Sequence, residues 1–334
     1  ATAARLGLKR LVGHDLLELF AFVRPAKFCL PTARGLADAV GLPPPADLVA
    51  EAMVLRDAAT LLLSEVRSEA TNDTTVALAQ FLSASGWLWA GAVLEALGAP
   101  PPAGAFPRLN LWHKLPEWIE LAPPPPAGHE PVAEDEALGR LTQLLAVRAA
   151  EERAPQRTYA AAAAGAFAPR NAAETPEIVL AEAGTGVGKT LGYIAPASVW
   201  AEKNQGAVWL STYTRNLQRQ IDGELDRLYP NAKVKNAKVV VRKGRENYLC
   251  ILNLEEESGR AFGGGGAAIG LVARWALATR DGDMGGDFPA WLVGVLGAEN
   301  TVGLTDRRGE CIYSACKRYR RCFIERSQRR AKRA

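Results

Sequence analysis

The sequence predicts an α/β chain: a parallel sheet with flanking helices, interrupted by a mainly helical, cysteine-bearing insertion and preceded by a helical module. Three observations predict it. A β-branched run, Ile178 to Leu180, enters a glycine-rich turn ending in Gly188-Lys189-Thr190 and continues into an apolar helical stretch from Leu191 to Trp200. A strand from Ala207 to Thr212, a helix from about Asn216 to Leu228 and a strand from Val239 to Arg242 follow, the alternation that builds a parallel sheet. Beyond Cys250 the alternation stops, and Gly263 to Gly266 and Gly282 to Gly286 punctuate an irregular, partly helical stretch with three more cysteines.

Residues 1–98 read as a helical module, with Leu16, Leu17, Phe20 and Val23 on one face and further helices at Asp57 to Val66 and Thr74 to Leu97. Residues 99–131 hold ten of the 21 prolines, the mark of a linker or extended wrap. Trp112 and Trp118 lie inside it, so part of it is expected to pack. Asp135 to Glu152 is an amphipathic helix, and an alanine-rich helix runs from about Gln156 to Phe167. The expected division is a helical module (1–98), a linker (99–131), a sheet-bearing region (132–249), the cysteine-bearing insertion (250–325) and the beginning of a return to the sheet (326–334).

Hydrophobic residues make up 48% of the 334 and charged residues 23%, the composition of a globular chain with a sizeable core. Arg274 interrupts the apolar run from Ala267 to Ala278, and no stretch reaches the ~20 apolar residues of a membrane span. A cytoplasmic monomer without membrane association is expected. The first residue is Ala1, not Met, and the stretch is expected to be a piece cut at both ends.

The glycine-rich turn is the sharpest signal. Ala183-x-x-x-x-Gly188-Lys189-Thr190 matches a phosphate-binding loop with alanine at its first glycine position. Gly184, Gly186 and Gly188 let successive N–H groups of Thr185, Val187 and their neighbours converge on an anion at a helix N-terminus. Lys189 is then expected on the outer phosphates of ATP, and the Thr190 hydroxyl on Mg²⁺.

Cys250, Cys311, Cys316 and Cys322 form the second constellation, the last three spaced C-x4-C-x5-C. In a chain with no secretion signal such grouping suggests ligation more than disulfides. The spacing is wider than zinc knuckles use and suits a [4Fe–4S] cluster; a structural zinc is the alternative. Cys29 stands alone in an apolar region and reads as a small buried hydrophobe. From Arg307 to Arg333 eleven Lys/Arg face two acids in a chain of net charge +4, so the remaining residues are net negative. A basic block of this density suits a polyanion. Lys317, Arg318, Arg320 and Arg321 are placed to offset thiolate charge and meet phosphate, and Tyr248, Tyr313, Tyr319 and Phe323 interleave rings of a kind that stack bases.

Four collinear segments now resemble a known family: Glu-Ala-Gly-Thr-Gly-Val-Gly-Lys-Thr (182–190), Ser-Thr-Tyr-Thr-Arg-Asn-Leu-Gln-Arg-Gln (211–220), Lys-Gly-Arg-Glu-Asn-Tyr-Leu-Cys (243–250) and the cysteine triplet. Together, over about 153–334, they are similar to the iron–sulfur superfamily 2 DNA helicases of the DinG and XPD type. The resemblance implies a RecA-like lobe interrupted by an iron–sulfur domain. It implies adenine reading by Gln156, contacts to the DNA backbone by Thr212, Asn216 and Gln218, cluster ligation by the four cysteines, and forked or single-stranded DNA unwound 5′ to 3′. The family's D-E-x-H segment and second motor domain are not found, so this stretch alone is expected to turn over little or no ATP. His14-Asp15 and Leu55-Arg-Asp57 faintly resemble the later part of a DnaQ-like exonuclease domain, but the carboxylates that two-metal cleavage needs are not assembled. Two rival readings stay open: a P-loop ATPase or kinase with a structural zinc, and a nucleotide- and DNA-binding module without turnover.

Overall fold

The computed structural model describes residues 7, 13–104, 106–120, 122–147, 149–151, 153–169, 177–260, 264–297, 301, 303–306 and 309–332. Arg307, Arg308 and Arg333 of the basic block and Gly263 of the glycine run lie outside them. The chain divides into two compact units: residues 1–119 with 243–328, and residues 120–242 with 329–334.

In the first unit, α1 (Leu16–Val23), α2 (Ala33–Val40), α3 (Leu48–Arg67) and α4 (Asp73–Ala84) each start at a polar side chain that accepts an amide of the first turn: Asp15, Thr32, Asp47 and Asn72. The helix expected over Thr74 to Leu97 is two, because Gly86 takes φ 78° between α4 and α5 (Ala90–Leu97). Helices α11 (Ile251–Arg260), α12 (Gly264–Ala278), α13 (Ala290–Leu296) and α14 (Phe323–Ala331) come from the other end of the sequence. Both ends share one core, in which Phe20, Phe22, Leu78 and Phe81 pack with Leu271, Val272 and Trp275. Leu109, Leu111, Trp112 and Leu115 of the proline-rich stretch are buried in it too.

The second unit contains α6 (Glu134–Ala146), α7 (Ala154–Ala164), α8 (Lys189–Asn204), α9 (Arg215–Leu228) and α10 (Ala232–Lys238). Leu141, Leu144 and Leu145 of α6 pack on Ala160 of α7 and on Leu191, Ile194 and Ala195 of α8. Close approach of α7 to α8 depends on Gly192, where a Cβ would lie 2.7 Å from the Tyr159 ring. Arg140 crosses from α6 to Glu202 of α8 at 2.6 Å.

The predicted parallel sheet, and with it the RecA-like lobe, is not present among the described residues. Ile178 to Leu180, Ala207 to Thr212 and Val239 to Arg242 form no ladder, and the described bridges are two isolated antiparallel ones, Tyr248 with Asp283 and Leu249 with Thr305. The physical reason lies in what surrounds them. A parallel strand is covered on both faces and flanked by a neighbour, whereas Ile178 is 74%, Leu180 95% and Trp209 66% exposed. Instead, Gly206 to Thr212 and Lys238 to Arg242 line an open, mainly apolar cavity of about 410 Å³ against α8 and α9. No helix among the described residues is long and apolar enough to cross a membrane.

Candidate nucleotide site and cysteine cluster

The loop before α8 is closed on itself. Gly186 and Gly188 take φ 80° and 86°, a region open to glycine at little cost. These turns bring the carbonyls of Ala183 and Gly184 onto the Lys189 ammonium at 2.7 and 2.8 Å. Arg153 Nη1 donates to the Gly186 carbonyl at 2.8 Å, and Gln156 Nε2 donates to that of Gly188 at 2.9 Å. A Cβ on Gly188 would sit 2.3 Å from that Gln156 nitrogen. The cradle thus holds its own cation and has no room for a side chain beneath it.

Gln156 is 4% exposed, and in this structure its amide faces the loop. Thr190 is buried at the start of α8, and its hydroxyl touches the Tyr193 phenol and accepts from Gln220 Nε2 at 3.3 Å. Leu145, Arg153, Gln156, Val187, Thr190 and Gln220 border a cavity of about 190 Å³. Gly184, Thr185 and Gly186 are exposed and Val187 is half-buried. Gln220 and Tyr193 were not singled out from sequence. The only signal was their place one helical turn from the motif or within the segment 211–220.

Of the three expected backbone-contacting residues, Asn216 is exposed in the first turn of α9, while Thr212 and Gln218 are half-buried along the larger cavity. Thr214 caps α9 by accepting from the Leu217 amide.

In the first unit the four cysteine sulfurs share one local geometry. Cys311 Sγ accepts from the Tyr313 amide and Cys316 Sγ from the Arg318 amide, both at 3.4 Å. Cys250 accepts from the amides of Asn253 and Leu252, and Cys322 from those of Glu325 and Ile324. Cys250 and Cys322 immediately precede α11 and α14, where the helix dipole favours an anion. Desolvation nevertheless pushes the Cys250 thiol up and carries that of Cys322 to about 11, outweighing the amide donation that lowers them. Among the described residues no group of three or more Cys, His, Asp or Glu is closed up to hold a metal ion.

Arg245, which the motif 243–250 contains but sequence reasoning gave no role, ties this region together. It donates to Asp306 at 3.0 Å, to Glu325 at 2.7 Å and to Cys311 Sγ at 3.2 Å. The basic block is largely internally paired. Lys317 and Arg318 both reach Glu255. Arg321 pairs with Glu117 at 2.7 Å and donates to the Leu115 carbonyl. Arg320 is 70% exposed over the Trp118 ring, whose indole N–H donates to the Tyr319 carbonyl at 2.7 Å.

An ATP-dependent DNA helicase YoaA of Escherichia coli is 30% identical over 191 residues, covering 54% of this chain and 26% of that protein. An ATP-dependent helicase DinG of Mycobacterium tuberculosis is 40% identical over 117 residues, covering 33% and 17%. The chain is a relative of the DinG and YoaA helicases. A 3'-5' exonuclease DinG of Bacillus subtilis is 36% identical over 84 residues, 24% of this chain and 9% of that one. This DinG-like chain therefore spans about a quarter or less of the length of these relatives. No protein-family model matches it, and no solved structure does.

Proposed function

We propose that this chain is the ATP-binding and cysteine-bearing part of a DinG-type ATP-dependent DNA helicase. The observation that carries the reading is the loop 183–190, whose carbonyls already enclose the Lys189 ammonium at a helix N-terminus, with Gly186 and Gly188 at positive φ and Gly188 seated against Gln156. Triphosphate entry would draw the Lys189 ammonium from those carbonyls onto the outer phosphates. Gly184, Thr185, Gly186, Val187 and Gly188 would then offer their N–H groups to the anion. Thr190 is the Mg²⁺ ligand in this reading, oriented by Tyr193 and Gln220; bound Mg²⁺ neutralises phosphate charge. Gln156 holds the loop from beneath and would read adenine by turning its amide toward the cavity.

For Cys250, Cys311, Cys316 and Cys322 we favour a [4Fe–4S] cluster over zinc. Amide donation to every sulfur is the environment a thiolate ligand needs. The C-x4-C-x5-C spacing of the last three is also wider than zinc knuckles use and suits the longer gaps that cluster ligands tolerate. Single-stranded or forked DNA is the proposed partner, met by Thr212, Asn216 and Gln218 in one unit and by Arg320 in the other. Arg321, held by Glu117 and a carbonyl, would act on DNA only by releasing them.

Lys189→Ala tests the nucleotide reading. Loss of a charge-assisted contact of about 1.5–3 kcal/mol should weaken binding of a fluorescent ATP analogue by roughly 10- to 100-fold. Unchanged affinity removes the phosphate-loop assignment.

A further inference from the structure

Sequence alone leaves four rings near the basic block on an equal footing: Tyr248, Tyr313, Tyr319 and Phe323. The structure separates them. Tyr248 and Phe323 are 1% and 0% exposed, and Tyr319 stands edge-on to Trp118 at 5.4 Å. Tyr313 is 57% exposed, beside Ile312 at 54%. It is also a non-glycine residue at φ 49°, a left-handed conformation that a bulky side chain adopts only when its surroundings impose it.

Those surroundings are specific. The inner face of the ring lies on the Arg245 guanidinium, 4.7 Å from the ring centroid. That guanidinium cannot follow the ring outward, because Asp306, Glu325 and Cys311 Sγ hold three of its donor contacts. The Tyr313 amide is fixed on Cys311 Sγ as well. The short helical turn Tyr313–Ala315 packs against the turn Tyr319–Arg321, which presents the exposed Arg320 over Trp118. Two arginine–aromatic pairs therefore stand side by side in opposite order, one with the ring outermost and the other with the cation outermost.

We propose that Tyr313 is a base-stacking position for single-stranded nucleic acid, with Arg320 meeting the neighbouring phosphate. The inference rests on the DNA-binding reading above and adds to it the kind of contact made. A ring backed by a locked cation and turned to solvent offers a π-face with little rotamer freedom left to lose. Every base has such a face, so the contact is indifferent to sequence. The local cationic side chain supplies the charge complement for the backbone.

The test compares binding of an oligo-dT and an abasic oligomer of equal length to the full chain, purified anaerobically, with thiol and iron content measured for each variant. Wild type should prefer the base-bearing strand by at least ~5-fold, the lower end of one aromatic stack. Tyr313→Leu should cut that preference by a similar factor, and Tyr313→Phe should keep it. Arg320→Ala should leave the preference intact while reducing the dependence of log affinity on log salt by about 0.7. Tyr313→Gly, relieved of its backbone strain, should lose the preference without a lower Tm, which separates stacking from a merely structural role. If wild type binds both strands equally, or Tyr313→Leu leaves the ratio unchanged, the stacking proposal is overturned and the DNA reading stands. If wild type binds neither strand, the DNA reading itself fails and stacking falls with it.

Discussion

Arg274 sits in the middle of α12, 8% exposed, and its guanidinium makes four hydrogen bonds to groups from the first hundred residues. Nε donates to the Phe22 carbonyl at 2.9 Å, Nη1 to the Thr75 hydroxyl at 3.0 Å, and Nη2 to both Glu69 oxygens at 2.6 and 2.7 Å. The Phe22 ring stacks below it at 5.3 Å. Breaking a buried pair by removing one partner costs about 3–5 kcal/mol. The Glu69 side chain is 32% exposed and can recover some hydration, so the lower end applies, about 3 kcal/mol for Arg274→Met. Arg274→Lys keeps the charge but cannot serve three acceptors in different directions, and should cost about half as much. The double variant Arg274→Met/Glu69→Gln should regain about 1–2 kcal/mol relative to additivity. Thermal unfolding followed by tryptophan fluorescence should show Arg274→Met lowering the Tm of the unit that contains it by about 6–12 °C, at 2–4 °C per kcal/mol for a unit of this size. A shift within 2 °C, or strict additivity in the double variant, would refute Arg274 as the pin between the two sequence-distant halves of that core.

Two further predictions concern the same unit. Gly282 takes φ 66°, and a Cβ there would meet the rigid, fully buried Phe323 ring at 2.3 Å. Gly282→Ala should therefore cost more than about 2 kcal/mol and, on the cluster reading proposed above, lower the iron bound per chain, because Phe323 adjoins Cys322. Gly41→Ala, at φ 79° with open space around it, should cost only about 1 kcal/mol by urea titration; equal losses would mean that the ring contact is not what matters. Burial carries the Cys29 thiol from 9.0 to about 11, so folding favours its neutral form. That contribution is complete below pH 9 and is lost as pH rises towards 11. Wild type should lose stability relative to Cys29→Ala between pH 8 and pH 10.5 in urea unfolding, and a pH-independent difference would show that the thiol does not deprotonate on unfolding there.

Local features of this chain were legible in its sequence because their causes are local. Gly188-Lys189-Thr190 turns as its spacing demands, since glycine alone settles cheaply at positive φ. The helix starts at Asp15, Thr32, Asp47 and Asn72 have equally local causes, side chains that satisfy amides two or three residues ahead, although none of these caps was singled out from the sequence. Cys29 was legible as a buried hydrophobe from its apolar neighbours, and it is 3% exposed. Arg274 was visible only as the charge that breaks an apolar run. Its partners lie about 200 and more residues away, and no periodicity encodes such a distance.

The sheet fails for the same reason in reverse. β-branched runs at 178–180, 207–212 and 239–242 show a preference for strand, but a strand exists only when a second one lies alongside, and pairing is non-local. Trp112 and Trp118 hinted that the proline-rich stretch packs, without saying on what. Tertiary structure decided that Trp112 enters the core shared with α12, and that Trp118 hydrogen-bonds the turn before Cys322. It also decided which charges of the basic block face outward, because an arginine joins a surface or a salt bridge according to which carboxylate reaches it. Glu117 reaches Arg321 at 2.7 Å and only skirts Arg320 at 3.9 Å. The sequence by itself determined the chemistry on offer: a glycine-rich loop with phosphate-binding spacing, four thiols and an excess of cations. Which of those groups meet, and which remain open to a partner, was settled by contacts between residues far apart in the chain.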